Sequence, residues 1–203
     1  MRVARACHHR TVSTADIPPA PTAQAKYQVR FDWGVAGAAR IAPGADVVVW
    51  VDVLGPDLQH TGGHERSGIL DLLPTGIPVL GAGFATAAAT ARWITDLQHR
   101  LGRRAMIAIL AAGEPEHGAV RFAVEDQLAA GAVIDALATL GTDYCSPEAA
   151  ASCAAFTGLR GAVAHLLTAS ASAQQLVAAG VAPALIRAAG ALDTEEQALL
   201  LRG

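Results

Sequence analysis

Asp46-Val47-Val48-Val49-Trp50-Val51-Asp52-Val53-Leu54 is the stretch that decides the fold. Its middle is unbroken, apolar and β-branched, the pattern of a strand covered on both faces rather than one with a wet side. Such a strand belongs at the centre of a parallel sheet, and parallel neighbours need helical crossovers. Upstream, Tyr27-Gln28-Val29-Arg30-Phe31-Asp32 alternates with period two, which predicts a strand with Tyr27, Val29 and Phe31 on one face. Val35, Ala38, Ala39 and Ile41 then suit a short helix closed by Pro43-Gly44. Downstream, Ile69 to Leu73 and Pro78 to Leu80 read as short strands. Phe84 to Leu101 reads as a helix stopped by Gly102, and Ala105 to Ala111 as a second buried strand. An acidic loop at Glu114-Pro115-Glu116-His117-Gly118 and a short strand Val120-Arg121-Phe122 precede a helix from Val124 to Leu140. Ser146-Pro147-Glu148 places a cap, an N1 proline and an early acid in order for the next helix. From there to Arg202 the pattern is helical, with Ser172 and Gly180 bracketing one short segment. Strands alternating with helices predict an α/β fold, a three-layer α/β/α domain with a mainly parallel central sheet and a helical C-terminal region.

Composition narrows the function classes. The 203 residues are 52% hydrophobic and 16% charged with a net charge of −3, enough apolar matter for one packed domain. Residues 1–25, with His8-His9 and Pro18-Pro19-Ala20-Pro21, lack an apolar period and read as a disordered N-terminal extension to a single domain over 26–203. Basic side chains do not cluster, so no nucleic-acid partner is expected. No apolar run reaches bilayer-spanning length, so no membrane partner is expected either. Cys7, Cys145 and Cys153 form an odd set without zinc spacing, and the N-terminus lacks an apolar signal core; both point to a cytoplasmic protein. Cys145 and Cys153 read as packing residues of the helix that starts at Ser146.

Ligands gather at the carboxyl ends of parallel strands, so the acids there are the candidate chemistry. Asp52 ends the central strand, Glu114 follows the strand 105–111, and Glu125-Asp126 opens the next helix. Carboxylates plus water are what Mg²⁺ prefers, and that ion neutralises phosphate oxygens. An acid in a first helical turn is also stabilised by the helix dipole without any ligand, whereas an acid inside a hydrophobic strand run is costly unless paired. His60 and His64 are four apart, but Thr61-Gly62-Gly63 makes theirs a loop spacing rather than a metal pair on a helix. Gly81-Ala82-Gly83-Phe84-Ala85-Thr86 imitates a dinucleotide fingerprint with Thr86 in place of the third glycine.

Val29-Arg30-Phe31-Asp32-Trp33-Gly34, Pro43-Gly44-Ala45-Asp46, Val51-Asp52-Val53-Leu54, Ala112-Gly113-Glu114 and above all Ala123-Val124-Glu125-Asp126-Gln127-Leu128-Ala129-Ala130-Gly131-Ala132-Val133-Ile134 together resemble the 2-phosphosulfolactate phosphatase family. The similarity runs on through Ser146-Pro147-Glu148-Ala149 and the region Leu176 to Asp193. The resemblance implies a Mg²⁺-dependent phosphoric-monoester hydrolase acting on a small phosphorylated acid. On that reading Asp52 and Glu125 are metal ligands, and Glu114 and Asp126 serve catalysis. An exposed edge or apolar flank on the strand 46–54 would separately imply a homo-oligomer covering it. The chain departs from the family at Gly55-Pro56-Asp57-Leu58-Gln59, where a run of threonines is replaced and a following segment is missing. It departs again at Leu73-Pro74-Thr75-Gly76, Thr86 and Ala184, where two asparagines and an acid are replaced. Those losses fall on groups that would orient a phosphoryl group, so the alternative is a catalytically inactive family remnant that binds a metabolite or protein partner.

Overall fold

A computed structural model of the protein describes residues 19–55 and 70–203. Its strands are β1 (Val29–Trp33), β2 (Val47–Val51), β3 (Val79–Ala82), β4 (Ile107–Ala111), β5 (Glu114–Glu116), β6 (Ala119–Arg121) and β7 (Leu199–Arg202). Its helices are α1 (Gly34–Ile41), α2 (Ala87–Leu101), α3 (Val124–Thr139), α4 (Pro147–Leu159), α5 (Val163–Ala169), α6 (Ala171–Ala178) and α7 (Pro183–Ala189). The main sheet has the order β1-β4-β2-β3-β7, so the valine run is its central strand. β1, β4, β2 and β3 are parallel, in register through Val29↔Ile107, Val47↔Ile107 and Val48↔Val79.

Alternation along the strands divides the interior in two. Val47, Val49, Val51, Ile107 and Ile109 face the larger core, beneath α2 and α3, and Val48, Ala108 and Leu110 face a smaller one with Ala38 and Ile41 of α1. The fold is thus α/β, a mixed but mainly parallel sheet with helices on both faces. The larger layer thickens because α4 lies against α3 at Gly131, where an added Cβ would sit 2.3 Å from the Ser152 carbonyl oxygen. Ser152 seals the approach by donating its hydroxyl to the Gln127 carbonyl at 2.9 Å.

Several boundaries differ from the sequence reading. The ordered fold begins before Lys26: Pro21–Ala23 forms a 3₁₀ turn and buried Gln24 uses its amide to bridge both backbone groups of Phe31, at 2.8 and 3.0 Å. Residues 70–73 make a turn closed by Leu73 N–H to Leu70 C=O, not a strand. The acidic loop is one arm of a hairpin in which Glu114 pairs with Arg121. Ser170 rather than Ser172 caps α6, accepting from the Ala173 amide. The C-terminal region is not helical to its end, because Leu199–Arg202 joins the sheet antiparallel to β3. The stretch Pro147–Ala178 is long and apolar enough, by composition alone, to cross a membrane. The chain instead breaks it at Arg160–Ala162 and again at Ser170.

Asp46 anchors the entry to β2. Its carboxylate accepts from both terminal nitrogens of Arg103, at 2.7 and 2.8 Å, and from the Met106 amide at 2.8 Å. These bonds, Arg103 foremost, hold the carboxyl below the usual aspartate range against the opposing effect of burial. The folded state then binds fewer protons than the unfolded one. The contribution is full above the unfolded aspartate value of about 4 and is lost as pH falls through the lower folded value. Asp46→Asn should therefore be less stable than the wild type at neutral pH. The gap should narrow in acid, as read from urea denaturation at several pH values.

Candidate carboxylate site at the strand ends

Val53 and Leu54, just past β2, pack in the larger core, and the chain leaving β4 turns to α3 over that same core. The carboxyl ends of parallel strands are the usual ligand position in such sheets. Asp126, in the first turn of α3, is buried at that end. Its two oxygens accept from the Val53 amide at 2.8 Å and the Gly113 amide at 2.9 Å, tying the exits of β2 and β4 to the start of α3. Gly113 has a left-handed φ of 63°, and a Cβ there would meet Val120 and the Arg121 carbonyl, so the hairpin β5–β6 closes directly over this turn.

Among the described residues, the charges that act on Asp126 are negative. Burial pushes the Asp126 carboxyl well above the ordinary range; negative Asp52 adds to this and Glu125 adds a little more, against the pull of the two amides. Glu125 is 2% exposed, and its Oε2 is buried without a hydrogen-bond partner. Asp52 is exposed at the end of β2. Asp52 and Glu125 thus each lie near enough to act on Asp126. Glu114 is half-buried one residue beyond Gly113 and is not among the charges that act on Asp126.

No family model and no curated protein matches the chain.

The donor set can be judged on its own terms. Among the described residues no three His, Cys, Asp or Glu side chains gather as they would around a fully protein-bound ion. Mg²⁺ does not require that: it commonly takes one or two carboxylates, keeps several waters and shares the rest with substrate phosphate. Glu125 offers an orphaned buried carboxylate oxygen and Asp52 an exposed carboxylate, the number of protein ligands such a mode requires. Asp126 is a poorer ligand, because both of its oxygens already hold amides.

Gly81 has a use inside the sheet. A Cβ there would lie 3.0 to 3.3 Å from Leu199 and Leu201, so its smallness admits β7 rather than a pyrophosphate. The Thr86 hydroxyl accepts from the Gly83 amide at 3.1 Å, closing the 3₁₀ turn that leads into α2. Cys145 and Cys153 pack half-buried against the larger core; burial lifts the Cys145 thiol to about 11, which makes it a poor nucleophile. His60, His64 and the rest of the loop beyond Gly55 lie outside the described residues. The residue that the sequence left undervalued was Asp126 as a clamp. Its place in the first helical turn signalled only a favourable dipole, and nothing in the spacing signalled that its side chain would reach two loops instead.

Proposed function

We propose that the carboxyl ends of β4 and β2 carry a Mg²⁺-dependent site for a small phosphorylated acid, hydrolysing a phosphate monoester. The observation that carries this reading is the buried, unpartnered Glu125 oxygen beside Asp126 at the carboxyl end of the sheet. Asp52 and Glu125 are the residues that would hold the cation, which supplies charge neutralisation for phosphoryl oxygens. Asp126 holds the Val53 and Gly113 amides and so fixes the spacing of the two loops that flank the substrate. Burial favours keeping a proton on its carboxyl. Glu114, beside Gly113, is the remaining acid positioned to accept a proton from water.

The binding-module alternative draws on a different fact: both Asp126 oxygens are already engaged, which suits a structural clamp better than a base. A melting experiment followed by an activity assay separates the two readings. Mg²⁺ at a hundredfold excess over its Kd should stabilise the wild type by about 2.7 kcal/mol, roughly 5–10 °C in Tm for a chain of this size. Glu125→Gln should lose that shift, and without Mg²⁺ should melt at or above the wild-type temperature, because a buried oxygen without a partner no longer belongs to an acidic group. A wild-type Tm indifferent to Mg²⁺ would sink the metal site. A normal shift without Mg²⁺-dependent turnover of phosphate monoesters leaves the binding module.

A further inference from the structure

The two edges of the main sheet are treated differently. At β1 the outer edge is closed: Val29 donates to Tyr144 C=O and accepts from the Ser146 amide, and Gln24 occupies both backbone groups of Phe31. At the opposite edge β7 pairs with β3 alone among the described residues. Edge strands are ordinarily defended by an outward charge, a proline or a covering loop. The only charged side chain of β7 is turned away from that duty, since the Arg202 guanidinium donates to the carbonyls of Leu70 and Pro74. What remains outward is apolar. Leu199 is 40% and Leu200 50% exposed, and Leu72, in the turn that Arg202 ties to β7, is 61% exposed.

We propose that β7 is a self-association edge, pairing antiparallel with β7 of a second copy of this chain to continue the sheet through a two-fold axis. The occupant follows from the complementarity of the edge. Two-fold pairing of an antiparallel edge matches each free N–H with a C=O of the same strand in the other copy, so one surface satisfies both partners. Repulsion does not oppose it, because Leu199-Leu200-Leu201 carries no charge and the guanidinium beside it is engaged. A four-residue strand is short for a stable interface of roughly 1,000 Å² or more, so Leu72 and Leu200 must supply apolar contact on either side of the ladder. The result is a reversible dimer, distinct from the carboxylate site and independent of it.

Light scattering across a concentration series, with amide hydrogen exchange at both ends of it, tests this on the full chain. The mass should rise from the monomer's 20.7 kDa toward twice that at hundreds of micromolar. The amides of 199–202 should become protected over the same range. Leu200→Lys should hold the protein monomeric with an unchanged far-UV spectrum. Leu185→Lys, which charges a leucine of similar exposure on α7, should still dimerise. A monomer throughout, a dimer that survives Leu200→Lys, or association without protection of 199–202 each overturns the proposal.

Discussion

Methionine in place of Arg30 is expected to lower stability by about 3 kcal/mol or more in urea denaturation, among the largest single effects in the molecule. Arg30 is 3% exposed and, among the described residues, is in no ion pair with a carboxylate. Its guanidinium donates instead to four carbonyls: Tyr27 at 3.1 Å, Ile41 at 3.0 Å, Pro43 at 3.1 Å and Ala25 at 3.1 Å. Burial lowers its pKa and Asp46 partly restores it, so the charge is held mainly by carbonyl dipoles. Two of those carbonyls end α1 and the turn after it, where helical C=O groups have no partner of their own. Methionine fills much of the volume but leaves the four acceptors dry. Lysine should recover only part of the loss, because a single ammonium cannot span carbonyls that a planar fork reaches in three directions. Arg40→Ala is the control. Arg40 binds Asp32 at 2.7 and 2.8 Å but is 43% exposed, so its loss should cost under about 1 kcal/mol.

Arg30 also shows where a sequence stops being legible. In Tyr27-Gln28-Val29-Arg30-Phe31 the alternation places Val29 and Phe31 correctly in the larger core. It equally implies that Arg30 faces water, because periodicity cannot say that α1 will lie over that face. The run Val47–Val51 was readable because a strand covered on both faces has one composition whatever covers it. Leu199-Leu200-Leu201 was not: three leucines after a helical stretch look helical, and only pairing with β3 and the room left by Gly81 make them a strand. The acids followed the same division. That Asp52, Glu125 and Asp126 lie at one end of the sheet follows from strand direction. That Asp126 spends its oxygens on Val53 and Gly113 depends on how two loops converge, which neither spacing nor propensity encodes.

Asp126→Ala should cost about 3 kcal/mol, and its footprint should be local in a way that separates clamp from ligand. The substitution strips acceptors from two amides, at Val53 and Gly113, and a buried unpaired donor costs about 1–3 kcal/mol. Asp126→Asn should fall between alanine and wild type, because its amide oxygen can serve one of those donors while its NH₂ faces the other. Asparagine also stays neutral beside Asp52 and Glu125 without having to hold a proton, so its net loss should be under about 2 kcal/mol. Hydrogen exchange provides the decisive readout. In Asp126→Ala the amides of Val53 and Gly113 should exchange faster, while that of Gln28, bonded to the Tyr144 carbonyl at the far end of β1, should not. If Asp126 is a clamp, Mg²⁺ should still stabilise the asparagine variant, with turnover falling as the loops lose their spacing. If Asp126→Asn abolishes the Mg²⁺ shift while both amides keep their protection, Asp126 is itself a ligand and the clamp assignment fails.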